Sequence, residues 1–279
     1  MTFGVCKLTG TKGTFVKCHL LPKALTSPPE RSEVRVEGGE GRLPTARFDS
    51  WFDKTIVTRK GEDIFERLDA FAISELRREK LIWSSWADSE VLCPMESDRI
   101  DDQWGMRQVA FSNPERMRLF CLSLLWRAAM TELPGFTTVK LPLGRLQLLT
   151  DMLLSDSATP FEHFPIHLVQ LRTRGGWHNQ TPIKQFNRFP DADGTEREIG
   201  TFRFYMDGLI IRIEDEIDDT VHWRFKGVAL GESPKQMILT MPFEQSFQDE
   251  LITGHMLSAL NDERHAAIVE RIFARRNET

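Results

Sequence analysis

The sequence predicts an α+β protein, with helices filling the middle of the chain and antiparallel strands its second half. Three observations carry that expectation. Apolar residues recur at helical spacing in "GEDIFERLDAFAISELRREK" and crowd the run "RMRLFCLSLLWRAAM". After Pro160 the period shortens to that of strands, and Asp207-Gly208 stands between two β-rich arms, as a tight hairpin turn requires.

Taken in order, "FVKCH" at 15–19 reads as a strand ending at His19, three residues before Pro22. Residues 27–47, rich in Pro, Gly and charge, read as an ordered loop or a loose hairpin. Ile64, Phe65, Leu68, Phe71, Ala72 and Leu76 share one face of a helix over about 62–80, with acids early and bases late, as the helix dipole favours. Ser112, Asn113, Pro114 and Glu115 form a helix start with a Ser-x-x-Glu capping pattern. The helix that follows, 114–131, is apolar over so much of its circumference that it needs cover from the β-rich region. A further helix spans about 142–154. Strands are expected in "FPIHLVQLR", in the two arms around Asp207-Gly208, in "VHWRFKGVAL" and in "KQMILTMPF", and a last helix over about 247–275. The expected organisation is a small ββα module at 1–80 and a mixed body at 81–279 whose helical and β parts share a core.

The chain has 279 residues, 41% hydrophobic and 28% charged, which is ordinary for a globular protein. No run approaches a membrane span, and "MTFGVCKLTG" lacks the features of a secretory signal, so the expected address is cytoplasmic, with no membrane partner. Four cysteines without paired spacing are expected to be reduced thiols. The net charge of −5 disfavours coating of nucleic acid by bulk charge. The first 60 residues nevertheless hold eleven Lys or Arg against six Asp or Glu, so one end is basic.

His19 ends a strand in "CKLTGTKGTFVKCHLLPKAL", and "FDSWFDKTIVTRKGEDIFERLDAFA" follows at a distance. Over about residues 3–80 this order resembles HNH (His-Me finger) endonuclease-like proteins, in which a Cys-x-x-Cys-Gly opening precedes a strand ending in His, two aliphatic residues, Pro and Lys. A second Cys pair there leads into a helix. The resemblance implies that His19 deprotonates water for attack on a phosphodiester of DNA or RNA. It implies a divalent ion such as Mg²⁺, held by Cys18 before the histidine and Glu62 on the helix, with Asp53 a further oxygen donor. Lys17, Lys23, Arg47, Lys54, Arg59 and Lys60 are the candidate phosphate contacts. The zinc-knuckle cysteines are degenerate: only Cys6 remains, with Thr9, Thr58 and Gly61 at the other three positions, so no structural zinc is expected. Two functions follow: a metal-dependent nuclease, in a bacterial defence or mobile-element setting, or a catalytically inactive descendant that serves as a structural platform and binds a protein or ligand.

Overall fold

The computed structural model describes residues 2–27, 36–39, 42–46, 50–93, 98–176, 178–190, 195–215, 227–231 and 233–260. The fold is α+β. At the N-terminus β1 (Phe3–Val5) and β2 (Lys12–Thr14) form a hairpin, and β3 (Cys18–His19) pairs antiparallel with β6 (Phe52–Asp53). Between them lie a single turn of helix, α1 (Lys23–Thr26), and a hairpin of β4 (Val36–Gly39) and β5 (Arg42–Ala46). Then α2 (Arg59–Arg78) begins three residues earlier than its apolar periodicity suggests, at a Thr58 N-cap in extended conformation.

The body is built on a seven-stranded sheet. Its strands are β7 (Asp98–Arg99), β8 (Gly105–Ala110), β9 (Ile166–Leu171), β11 (Ile183–Pro190), β12 (Glu196–Met206), β13 (Leu209–Glu214) and β14 (Lys235–Met241), in spatial order 11-12-13-9-14-8-7. The expectation of a purely antiparallel region is corrected here. β14 enters between β8 and β9, antiparallel to the first and parallel to the second. The middle of the chain is also less helical than its sequence suggests, since β7 and β8 supply one edge of this sheet. A short strand β10 (His178–Gln180) leaves the main sheet and pairs parallel with β4.

On one face of the sheet Leu168, Phe202, Phe204, Ile211 and Ile213 belong to the same buried cluster as the helix α3 (Pro114–Met130). Twelve consecutive residues of α3, Met117 to Ala128, are buried, between α2, the sheet and α4 (Leu143–Leu154). The cap of α3 is Asn113, whose side chain accepts from the Arg116 amide at 2.9 Å, rather than Ser112. The Ser112 amide is directed instead to Glu75 of α2, 2.6 Å away. The other face carries a second cluster of Trp83, Trp86, Val169, Leu171, Tyr205, Ile210 and Phe243, flanked by Ile252 of α5 (Phe247–Leu260). The expected strand over 221–230 and the helix beyond 260 lie largely outside the described residues; 227–230 form turns.

One apolar cluster runs from Cys6, Leu8 and Leu20 through α2 and α3 to Leu230 and Ile238. Residues on both sides of position 80 therefore belong to one apolar cluster. Phe3 and Phe52 do not belong to this cluster; Phe3 is 69% exposed. No helix among the described residues is long and apolar enough to cross a membrane.

The 207–208 turn forms as expected, with positive φ at Asp207 and Gly208. A Cβ on Gly208 would lie 2.4 Å from the Trp83 indole, so the close approach of that ring needs glycine as much as the backbone angle does. The Ser84 amide donates to the Asp207 carboxyl at 3.1 Å. Burial outweighs this bond and pushes the Asp207 carboxyl up to about 7.

Two outcomes follow. A fragment ending near residue 158 lacks the strands that cover α3 and is expected to aggregate; a soluble fragment with a cooperative melt would show that the first half is self-sufficient. Because the folded state holds the Asp207 proton more tightly than the ordinary carboxylate value of 3.8, its contribution favours folding below that pH and is lost as pH rises toward 7. Asp207→Asn, which tolerates positive φ, is therefore expected to gain melting temperature over wild type progressively from pH 4 to pH 7.

Candidate functional site

The strand pair β3–β6 sorts four side chains onto two sides. Cys18 lies opposite Asp53 and His19 opposite Phe52, and directly opposed residues of an antiparallel pair share a face. Cys18 and Asp53 face inward and are buried; His19 and Phe52 are half-buried on the outer side. There the Phe52 ring collects charge: Lys17 Nζ sits 4.1 Å and Lys54 Nζ 5.5 Å from its centroid, with the His19 ring edge-on at 6.3 Å.

On the inner side the Cys18 thiol meets the Glu62 carboxyl from the first turn of α2, where the two groups share a hydrogen bond. Burial, then the Glu62 charge, push the thiol well above its ordinary value. Burial likewise raises the Glu62 carboxyl, and its Oε2 is buried with no hydrogen-bond partner. The cation at this place comes from α3. Arg127, 1% exposed, donates to both oxygens of Asp69 at 3.0 and 2.7 Å, to the Ser123 backbone and hydroxyl, and to the His19 carbonyl at 2.8 Å. Its plane also lies 5.0 Å from the Phe65 ring. Its charge acts on both Cys18 and Glu62, holding each below where burial would put it.

Asp53 is occupied on both oxygens. Oδ1 accepts from the Thr55 amide and hydroxyl, each at 2.7 Å, and Oδ2 from the Thr131 hydroxyl at 2.6 Å. Burial raises this carboxyl, but the Thr131 and Thr55 bonds outweigh it and hold it below the usual range. Asp53 thus ties the N-terminal strands to the residue after α3 and is not turned toward His19. Among the expected phosphate contacts, Lys17 and Lys54 come together on Phe52. Lys23 is exposed in α1 and Lys60 on the first turn of α2. Arg59 is spent on Asp63 and Glu66, 2.7 and 2.5 Å away. Arg47 lies outside the described residues.

The four knuckle positions do gather in space. The Cys6 sulfur accepts from the Thr9 amide at 3.5 Å, and a Cβ on Gly61 would lie 2.8 Å from it. Gly10 follows at φ +66 and its amide closes the turn onto the Cys6 carbonyl at 2.9 Å. Burial raises the Cys6 thiol, and hydrogen bonds from Thr9, Thr58 and Leu8 more than reverse it. Cys6 is the one sulfur side chain among these four positions, and a structural zinc site takes four thiolate or imidazole ligands.

A divalent ion at Cys18 and Glu62 fits these residues poorly. A thiol is a soft donor for a hard ion, and among the described residues no three His, Cys, Asp or Glu groups are placed to hold a metal together. Cys18 is 0% exposed, which leaves no open position for a substrate oxygen, and a guanidinium already supplies positive charge nearby. His19 and the buried pair lie on opposite sides of the ribbon.

Arg127, Asp69 and Thr131 escape a reading of the sequence alone. A signal for the first is present there: an arginine inside "LSLLWRAAM" is a charge in an apolar helix, and a buried charge needs a partner. Comparison with protein families, curated proteins and solved structures finds no match for this chain.

Arg127→Met is expected to cost about 3–5 kcal/mol in urea unfolding, the range for stripping one partner from a buried ion pair. The double variant with Asp69→Asn is expected to lose less than the two single losses added, which measures the coupling directly.

Proposed function

We propose that this chain is a catalytically silent relative of His-Me finger nucleases, and that its outer face at Lys17, Phe52 and Lys54 holds the phosphate backbone of a nucleic acid. The kinship rests on the residue pattern from Cys6 to Ala72. The observation that carries the silence is Arg127: a fully buried guanidinium stands by Cys18 and Glu62, where hydrolysis would need an accessible ion. Binding is supported by the two ammonium groups held over one ring, since phosphate contacts need charge and a donor in a fixed place. A cytoplasmic address, thiols kept reduced and no structural zinc belong to the same reading. A protein partner docking on the body is compatible with it.

The nuclease reading is favoured by one observation, the position of His19 on the outer side beside those lysines. The two readings separate in one set of assays on the full chain. Labelled single- and double-stranded DNA and RNA are followed for cleavage with Mg²⁺ or Mn²⁺, and for binding by fluorescence anisotropy. The expected result is binding without cleavage, weakened across all sequences in Lys17→Glu/Lys54→Glu. On duplex DNA, removing one lysine–phosphate pairing is expected to lower the salt slope of log K by roughly 0.9. Cleavage that disappears in His19→Ala would establish the nuclease instead, and absence of binding to every substrate would remove the nucleic-acid role. Metal analysis of the same preparation is expected to find no stoichiometric zinc.

A further inference from the structure

The second face of the sheet carries an arrangement that neither reading of the N-terminal module uses. Ile183, Arg203, Arg212 and His167 form one row across β11, β12, β13 and β9, each opposite the next, so that their side chains share a face. Two guanidiniums therefore stand side by side. Arg203 is 5% exposed, its Nη2 is buried with no hydrogen-bond partner, and the Nε of Arg212 is buried in the same condition. The Phe247 ring of α5 lies 5.0 Å from the Arg203 guanidinium and closes one side.

Among the described residues the charges in this row do not balance. Burial, then the Arg212 charge beside it, lower the Arg203 guanidinium to about 9, which still leaves it protonated at neutral pH. Burial, then Arg212 again, push His167 down to about 3, so the imidazole adds no charge. Glu214, opposite Thr201 one step along the ribbon, is the carboxylate within reach of Arg212. It also takes the Thr201 hydroxyl at 2.5 Å and faces His167 at 3.5 Å. Among the described residues, one carboxylate against two guanidiniums leaves a positive charge. Asp215, the next acid in the chain, is engaged with Lys184 and Arg145. Buried charges in folded proteins are paired, because an unpaired one loses its hydration with nothing to offset the loss.

We propose that the Arg203–Arg212 pair is a binding site for an oxyanion, the phosphate or carboxylate group of a small molecule, which supplies the missing negative charge. The guanidinium fork suits such groups because its N–H bonds match two oxygens at once. Phe247 offers the rest of the ligand an apolar wall.

The test is thermal melting of the full chain against inorganic phosphate and, separately, against citrate as a polycarboxylate. Ionic strength is held constant with chloride. Wild-type protein is expected to show a saturable rise in melting temperature with one of these probes at millimolar concentration, and the probe that works identifies the ligand chemistry. Phosphate also stabilises proteins through exclusion from their surface, so the rise must vanish in Arg203→Met and in Arg212→Met. Arg203→Lys, which keeps charge and loses the fork, is expected to need about tenfold more anion. Without added anion, Arg203→Met is expected to melt no lower than wild type, because it removes an unpaired buried charge. Three results overturn the proposal: no saturable response to either probe, an equal response in both methionine variants, or an Arg203→Met variant that melts well below wild type and so reveals a partner inside the fold.

Discussion

The Arg127 guanidinium is the contact on which the arrangement of the N-terminal half depends. Helix α3 is buried along twelve consecutive residues, and apolar contact of that kind is non-directional. It holds the helix in the core without fixing its rotation or its height. Arg127 supplies both, because its fork reaches Asp69 on α2 and the His19 carbonyl on β3, and hydrogen bonds have geometry. Asp53 and Thr131 repeat the tie one turn further along. Arg118, at the other end of α3, donates to the carbonyls of Ala158 and Phe164, each at 3.0 Å, and so anchors the loop leading into β9.

The same contact decides what the residues around His19 can do. With a guanidinium inside, Cys18 and Glu62 become part of a polar network in the core, and the chemistry available to solvent is confined to the outer side of a two-residue ribbon. That side offers an imidazole, an aromatic ring and two ammonium groups.

How far this can be seen in the sequence depends on whether an interaction is local. The turn at Asp207-Gly208, the helix over α4 and the strand around Ile166–Leu171 are legible because residue type and period decide them within a few positions. The start of α2 is displaced by three residues because Arg59, Lys60 and Gly61 add no apolar residue to the pattern, although Thr58 is a serviceable cap. β8 is hidden because "GMRQVA" has little β-branched content; its place comes from pairing with β14, far away in the chain. For the site, motif order makes the approach of Glu62 to Cys18 legible. That Arg127 closes it is not, since the tie to His19 spans 108 positions.

The parallel pairing of β4 with β10 joins Val36 to His178, and the Asn179 side chain bonds the Thr26 carbonyl across 153 positions. On a chain emerging from a ribosome this amounts to a delay. The first residues of the N-terminal module leave the exit tunnel with their partner strand not yet made, and at roughly 5–20 residues per second that partner follows on the order of ten seconds later. During the interval β4 has an unpaired edge and the apolar side of α2 lacks α3. The pairing that completes this edge of β4 can form only once the sequence up to Gln180 has been synthesised.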